Sequence, residues 1–163
     1  MTILVMGASG SGKSTVAKAL AARLDGHFIE ADDFHPPANK EKMASGVSLE
    51  DSDREPWIES IREELQKRRE DTEINVLACS ALREKFRERL RGGDPAMKII
   101  YLEGDANLLR ERLENRHDHF MPASLVEPQL SALEPPADAI VIPAAAELDA
   151  QLAMIGHALG LEG

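Results

Sequence analysis

The sequence predicts an α/β domain in which a five-stranded parallel sheet carries helices on both faces. Three observations point there. Short apolar runs recur along the 163 residues with little polar alternation, the pattern of strands covered on both sides. Stretches of helical apolar spacing separate those runs, and strands alternating with helices build doubly wound sheets. The first run leads directly into a complete GxxxxGK[ST] sequence, Gly7 to Ser14, in the strand–loop–helix context of a P-loop.

Taken in order, Ile3-Leu4-Val5-Met6 is too short for a helix and reads as the first strand. Val16, Leu20 and Leu24 mark the helix after it, and His27 to Glu30 a weaker second strand. Trp57, Ile61 and Leu65 repeat the four-residue spacing; the acidic stretch Glu50-Asp51-Ser52-Asp53 before them reads as a connection. Ile74 to Cys79 is the third strand, followed by the stripe Leu82, Phe86 and Leu90. Met97 to Leu102 is the fourth, followed by Asp105 as a helix N-cap and by Leu109 and Leu113. Glu134-Pro135-Pro136 reads as a second connection. Ala139 to Ile142, stopped by Pro143, is the fifth strand, and Leu148, Leu152, Ile155 and Leu159 stripe the last helix. Each stripe reads as core packing. With no internal repeat and no low-complexity segment, residues 1–163 form one domain.

Composition narrows the function. Asp plus Glu number 29 against 19 Lys plus Arg, a net charge of −10 that repels phosphate backbones and argues against nucleic-acid binding. Cys79 is the single cysteine, which excludes an intramolecular disulfide and any cysteine-rich zinc site. His35 has no second histidine at metal-binding spacing, and His117 and His119 sit in an arginine-rich stretch without carboxylate partners at ligand spacing, so zinc is disfavoured. No run approaches the length of a membrane span, and the first residues lack a basic leader, so a cytoplasmic protein without membrane contact is expected.

The glycine motif carries the chemistry. Gly7, Ala8, Ser9, Gly10, Ser11 and Gly12 let backbone N–H groups wrap an anion, Lys13 brings charge to the β- and γ-phosphates, and Ser14 offers a hydroxyl to Mg²⁺. This alone leaves a kinase and a nucleotide-dependent switch both open. The third strand ends in Cys79-Ser80 without an acid; the acids Asp32-Asp33 follow the second strand instead. Asp32 is suited to hold the metal through water or to accept a proton from a substrate hydroxyl, and equally to cap a turn. Residues 32 to 57 are dense in polar groups, among them His35, Asn39, Lys42, Asp51, Asp53 and Arg54, either a wall for a polyhydroxy substrate or a solvated face. Arg110, Arg112 and Arg116, followed by His119-Phe120, suit either a lid over a transferring phosphoryl group or an exposed charged helix.

Taken together, these motifs resemble the gluconokinases, small P-loop kinases related to shikimate and nucleoside monophosphate kinases. The resemblance covers roughly residues 3 to 136. It rests on the P-loop, on Asp32-Asp33-Phe34-His35-Pro36, on Leu49-Glu50-Asp51-Ser52-Asp53-Arg54-Glu55-Pro56-Trp57, on Cys79-Ser80-Ala81-Leu82 and on Leu133-Glu134-Pro135-Pro136. Departures are Arg83 where the family usually has lysine, Ser48 where it has proline, and Pro128-Gln129-Leu130 where it reads S-Q-F. Ser124 and Glu127 have capping-box spacing, and Pro128 is expected to shift or distort that helix start. The resemblance implies a nucleoside-monophosphate-kinase-like P-loop NTPase fold with a substrate segment near 32–57 and a small lid near 112–135. It implies ATP-dependent phosphorylation of gluconate, with Mg²⁺ at Ser14 and Asp32 and a homodimer. It makes Lys13, Asp32 and Arg116 catalytic, adds Thr15 and Arg112 to the nucleotide site, and assigns Asp32, His35, Lys42, Arg54 and Arg83 to the substrate.

Overall fold

The computed structural model describes residues 1–71, 74–92, 94, 96–115 and 122–161. The expected strands form as β1 (Thr2–Met6), β2 (His27–Glu30), β3 (Asn75–Ala78), β4 (Lys98–Glu103) and β5 (Ile140–Pro143). They make one sheet in the order β2-β3-β1-β4-β5, with every pairing parallel. Pro143 ends β5 from within instead of stopping it from outside, which an edge strand tolerates because one side of it has no ladder to complete.

The helices are α1 (Lys13–Arg23), α2 (Pro37–Ala44), α3 (Asp51–Asp71), α4 (Glu84–Arg91), α5 (Ala106–Glu114), α6 (Val126–Ala132) and α7 (Leu148–Leu159). Strand period two sorts them onto the sheet. Every residue of β1 is buried: Leu4 and Met6 pack with Trp57, Ile61 and Phe86 of α3 and α4, while Ile3 and Val5 pack with Val16, Leu20 and Leu152 of α1 and α7. This is why β1 reads as a continuous apolar run. Trp57 is 2% exposed, and its Nε1 donates to Ala31 O at 2.7 Å, which fixes α3 against the turn that follows β2.

Two expectations change, and one helix is new. The acidic stretch at Glu50–Asp53 is not a connection: α3 starts at Asp51, and acids in a first turn suit the positive end of a helix dipole. The segment after His35 contains a helix, α2, whose entry is set by Pro37 in its first turn. No capping box forms at Ser124; a 3-10 turn spans Ala123–Leu125, and α6 begins at Val126 with no side-chain cap. Pro128 then sits in the first turn of α6, where its missing N–H removes no helical bond. Among the described residues no helix is long and apolar enough to cross a membrane.

Candidate active site

In a parallel sheet, ligands bind beyond the carboxyl ends of the strands, where the strand order reverses. Here that place lies beside β1, and the P-loop occupies it. Gly10 and Gly12 hold φ of 89° and 90°, a region that favours glycine. A Cβ on Gly10 would also stand 2.7 Å from Leu109 O, so the loop is pressed against α5. Gly12 leads into α1 with no side-chain cap, so the N–H groups of Lys13, Ser14 and Thr15 stand at the positive end of the helix without a partner among the described residues. That is an anion site built from backbone.

Two clefts meet at this loop. One, of about 290 Å³, takes Ser9 and Lys13 from the loop, together with Asp32, His35, Arg54 and Arg83. The other, of about 360 Å³, takes Ser11, Gly12 and Thr15, with Arg112 and Gln151 across from them. Arg112 does more than line the second cleft. Its Nη1 donates to Gly10 O and Ser11 O at 3.3 and 3.2 Å, and its Nη2 to Ala144 O at 2.6 Å, which braces the P-loop against the chain after β5.

The carboxylate nearest the motif is Glu30, at the end of β2. Ser14 Oγ donates to Glu30 Oε2, and the Asp32 N–H reaches Glu30 Oε1 at 3.3 Å. Burial pushes the Glu30 carboxyl up, against the Ser14 hydrogen bond and with the help of the Asp32 charge. Ser14, Glu30 and Asp32 together offer hard oxygen donors, which fit Mg²⁺, an ion that binds through one or two carboxylates plus substrate phosphates. Among the described residues no three His, Cys, Asp or Glu side chains form a dedicated metal cage.

Across the first cleft, Asp51 in the first turn of α3 organises the cations. It faces Lys85 Nζ at 2.8 Å, Arg54 Nη1 at 3.5 Å and Arg83 Nε at 3.8 Å. The Lys85 hydrogen bond holds the Asp51 carboxyl below the usual range, helped by the Lys85, Arg83 and Arg54 charges. Arg83 Nε is sealed from solvent without a hydrogen-bond partner among the described residues. Arg54 is desolvated, which lowers its pKa yet leaves a guanidinium charged. His35 stacks on Trp57, and burial pushes its pKa down to about 4.

Two further ties hold the walls. Ser9 N–H donates to Gln129 Oε1 at 2.7 Å, and Gln129 Nε2 donates to Ser9 Oγ at 3.1 Å, joining α6 to the P-loop. Arg87, 0% exposed, donates to Ala81 O at 2.7 Å and to Glu134 O at 2.6 Å, while Glu84 Oε2 takes its Nη2 at 2.7 Å. Ala81 holds φ of 42°, so this bond secures a left-handed backbone turn beside the cleft.

A family model described as an AAA domain matches residues 2–136. The chain is 46% identical to a gluconokinase of Gluconobacter oxydans (strain 621H), over 83% of this chain and 76% of that protein. It is 45% identical to a gluconokinase of Arabidopsis thaliana, over 81% of this chain and 77% of that protein. The chain belongs to the gluconokinase family. A crystal structure of a gluconokinase from Sinorhizobium meliloti 1021 superposes with a TM-score of 0.86 at 39% identity, covering 98% of this chain and 91% of that one. A shikimate kinase from Aquifex aeolicus vf5, at 18% identity and a TM-score of 0.60, shares the fold alone.

As a gluconokinase-family chain, the protein brings most of the expected site residues together. Lys13, Asp32, His35, Arg54 and Arg83 line one cleft. Lys42 does not join them: its Nζ is engaged by Asp53 Oδ2 at 3.0 Å. Arg116, with His119 and Phe120, lies outside the described residues, as does part of the expected lid. Glu30, Gln129 and Arg87 join the site in the structure without a site role expected from the sequence. A glutamate two positions before Asp32, at the carboxyl end of a strand, was the available signal for Glu30; nothing in the sequence links Gln129 to Ser9 across 120 residues.

Proposed function

We propose that this protein transfers the γ-phosphoryl group of ATP to the terminal 6-hydroxyl of D-gluconate, giving 6-phospho-D-gluconate and ADP. The observation that carries the reading is one cleft at the P-loop where Lys13, Asp32, Arg54 and Arg83 converge, in a chain 46% identical to a gluconokinase. The P-loop amides and Lys13 hold the phosphates. Arg112 flanks the second cleft, which is large enough for the rest of the nucleotide. Arg54 and Arg83 supply fixed positive charge for the sugar-acid carboxylate, and His35 contacts its hydroxyls. Asp32 accepts the proton of the attacking hydroxyl as the new O–P bond forms and the bond from the γ-phosphorus to the leaving ADP oxygen breaks. Mg²⁺, when bound at Ser14, Glu30 and Asp32, neutralises phosphate charge.

A coupled ADP-release assay tests this with gluconate, shikimate and nucleosides side by side. Gluconate should stimulate ADP release strongly and the others should not. Asp32→Asn should lower kcat by about 10²-fold or more, the scale of general-base catalysis, with the melting temperature retained. A variant that keeps wild-type turnover removes Asp32 from the role of base. Stimulation by shikimate or a nucleoside instead of gluconate overturns the substrate.

A further inference from the structure

His35 is held from several sides. One ring face stacks on Trp57, with centroids 4.0 Å apart and planes 11° from parallel. Its Nδ1 lies 3.2 Å from Asn39 Nδ2. The direction of that contact follows from a second partner of the amide of Asn39, a residue 4% exposed. The same amide nitrogen lies 2.9 Å from the main-chain carbonyl of Asp53. A carbonyl oxygen only accepts, so the group facing it must be the amide NH₂ and not the amide oxygen. An NH₂ group only donates, so His35 Nδ1 must accept, and the proton of the neutral ring sits on Nε2. Nε2 has no partner among the described residues, and the ring lines the first cleft. With one face on Trp57 and the Nδ1 edge on Asn39, Nε2–H is the polar group the ring has left to offer.

We propose that Asn39 locks His35 in the Nε2–H tautomer, so that the ring donates a hydrogen bond to a hydroxyl oxygen of the substrate. His35 is then a specificity-determining residue, and Asn39 is its positioning residue. The proposal rests on the function proposed above and divides the labour within that cleft. Arg54 and Arg83 read charge, whereas a neutral donor in a fixed orientation reads the presence of an oxygen at one place. A substrate analogue lacking that oxygen leaves a buried donor unpaired, which is how a polar site rejects deoxy compounds.

Two measurements test it. Long-range ¹H–¹⁵N spectra of the labelled protein near neutral pH resolve the tautomer of each of the five histidines, with His35→Gln giving the assignment. His35 should show a protonated Nε2 and an unprotonated Nδ1, and Asn39→Ala should give a mixture of tautomers. In steady-state kinetics, His35→Leu should raise KM for gluconate about tenfold while KM for ATP stays within about twofold. His35→Gln, which carries an amide donor, should recover most of the loss, and Asn39→Ala should show a smaller rise. Thermal melts confirm that each variant is folded. An Nδ1–H or doubly protonated ring in the wild type, or a His35→Leu enzyme with unchanged KM for gluconate, overturns the proposal. A wild-type enzyme inactive on gluconate overturns the proposed function instead, and the spectrum still decides the tautomer.

Discussion

His35 carries a consequence for stability as well as for recognition. Burial lowers its pKa from 6.5 to about 4; the Asp32 charge opposes the shift, and the Lys40 and Arg54 charges add to it. Between those values the unfolded chain binds a proton that the native ring refuses. Stability from this group is therefore complete above pH 6.5 and is lost as pH falls toward 4. The full shift corresponds to roughly 3 kcal/mol. Urea unfolding midpoints should fall more steeply between pH 6.5 and 4 for the wild type than for His35→Gln; parallel slopes would remove His35 as the cause. The residue scale also explains what the sequence could and could not reveal. Lys13 and Ser14 were legible because the P-loop is a local pattern whose spacing is its mechanism. Glu30 was less so: its place at the carboxyl end of β2 is a signal, but nothing local ties it to Ser14. Only the packing of α1 across β3 toward β2 brings Ser14 to its carboxylate.

Among the elements, strands were legible and the joints between them were not. Apolar runs mark β1 and β4 plainly, since a strand covered on both faces has no polar positions to confuse the pattern. By contrast, α2 and the first turn of α3 are polar: residues 37–44 carry no apolar stripe, and Glu50–Asp53 reads as a connection. Their helical form places Asp51 in the cleft lining and Asn39 behind His35, so these polar elements are ones that shape the cleft wall. Two joints allow direct tests. Arg87 ties the turn at Ala81 to Glu134, and Arg87→Met leaves both carbonyls without a donor. It should cost about 3 kcal/mol by urea unfolding, and a loss under about 1 kcal/mol would mean the carbonyls find other partners. Gln129 holds α6 to the P-loop through two hydrogen bonds. Gln129→Ala should reduce kcat/KM for gluconate about tenfold by loosening α6 from the P-loop, and lower stability by about 1–2 kcal/mol for the two lost hydrogen bonds. Unchanged kinetics would make the contact a resting-state feature alone.

At the scale of the whole molecule, the charge balance resolves into two parts. The chain carries a net charge of −10, yet the first cleft sets Lys13, Arg54 and Arg83 against Asp32, Glu50 and Asp51, so its lining is balanced and the acidic surplus lies elsewhere. Asp51 keeps that cluster from repelling itself by standing among three of its neighbouring cations. The fold class was legible from strand–helix alternation, whereas the convergence of residues from the turn after β2, α3 and the chain before α4 depends on the strand order, which no short-range pattern encodes. The stacked pair described above gives the molecule one more property. Trp57 is the only tryptophan in the chain, and it lies at the wall of the first cleft with its indole against a neutral imidazole. The protein thus contains its own optical reporter, sited where the sugar acid is expected and away from the second cleft. Gluconate should shift the emission saturably, with a midpoint that follows its KM, and a nucleotide added alone should leave the signal largely unmoved. The arrival of the sugar acid can then be timed without a label.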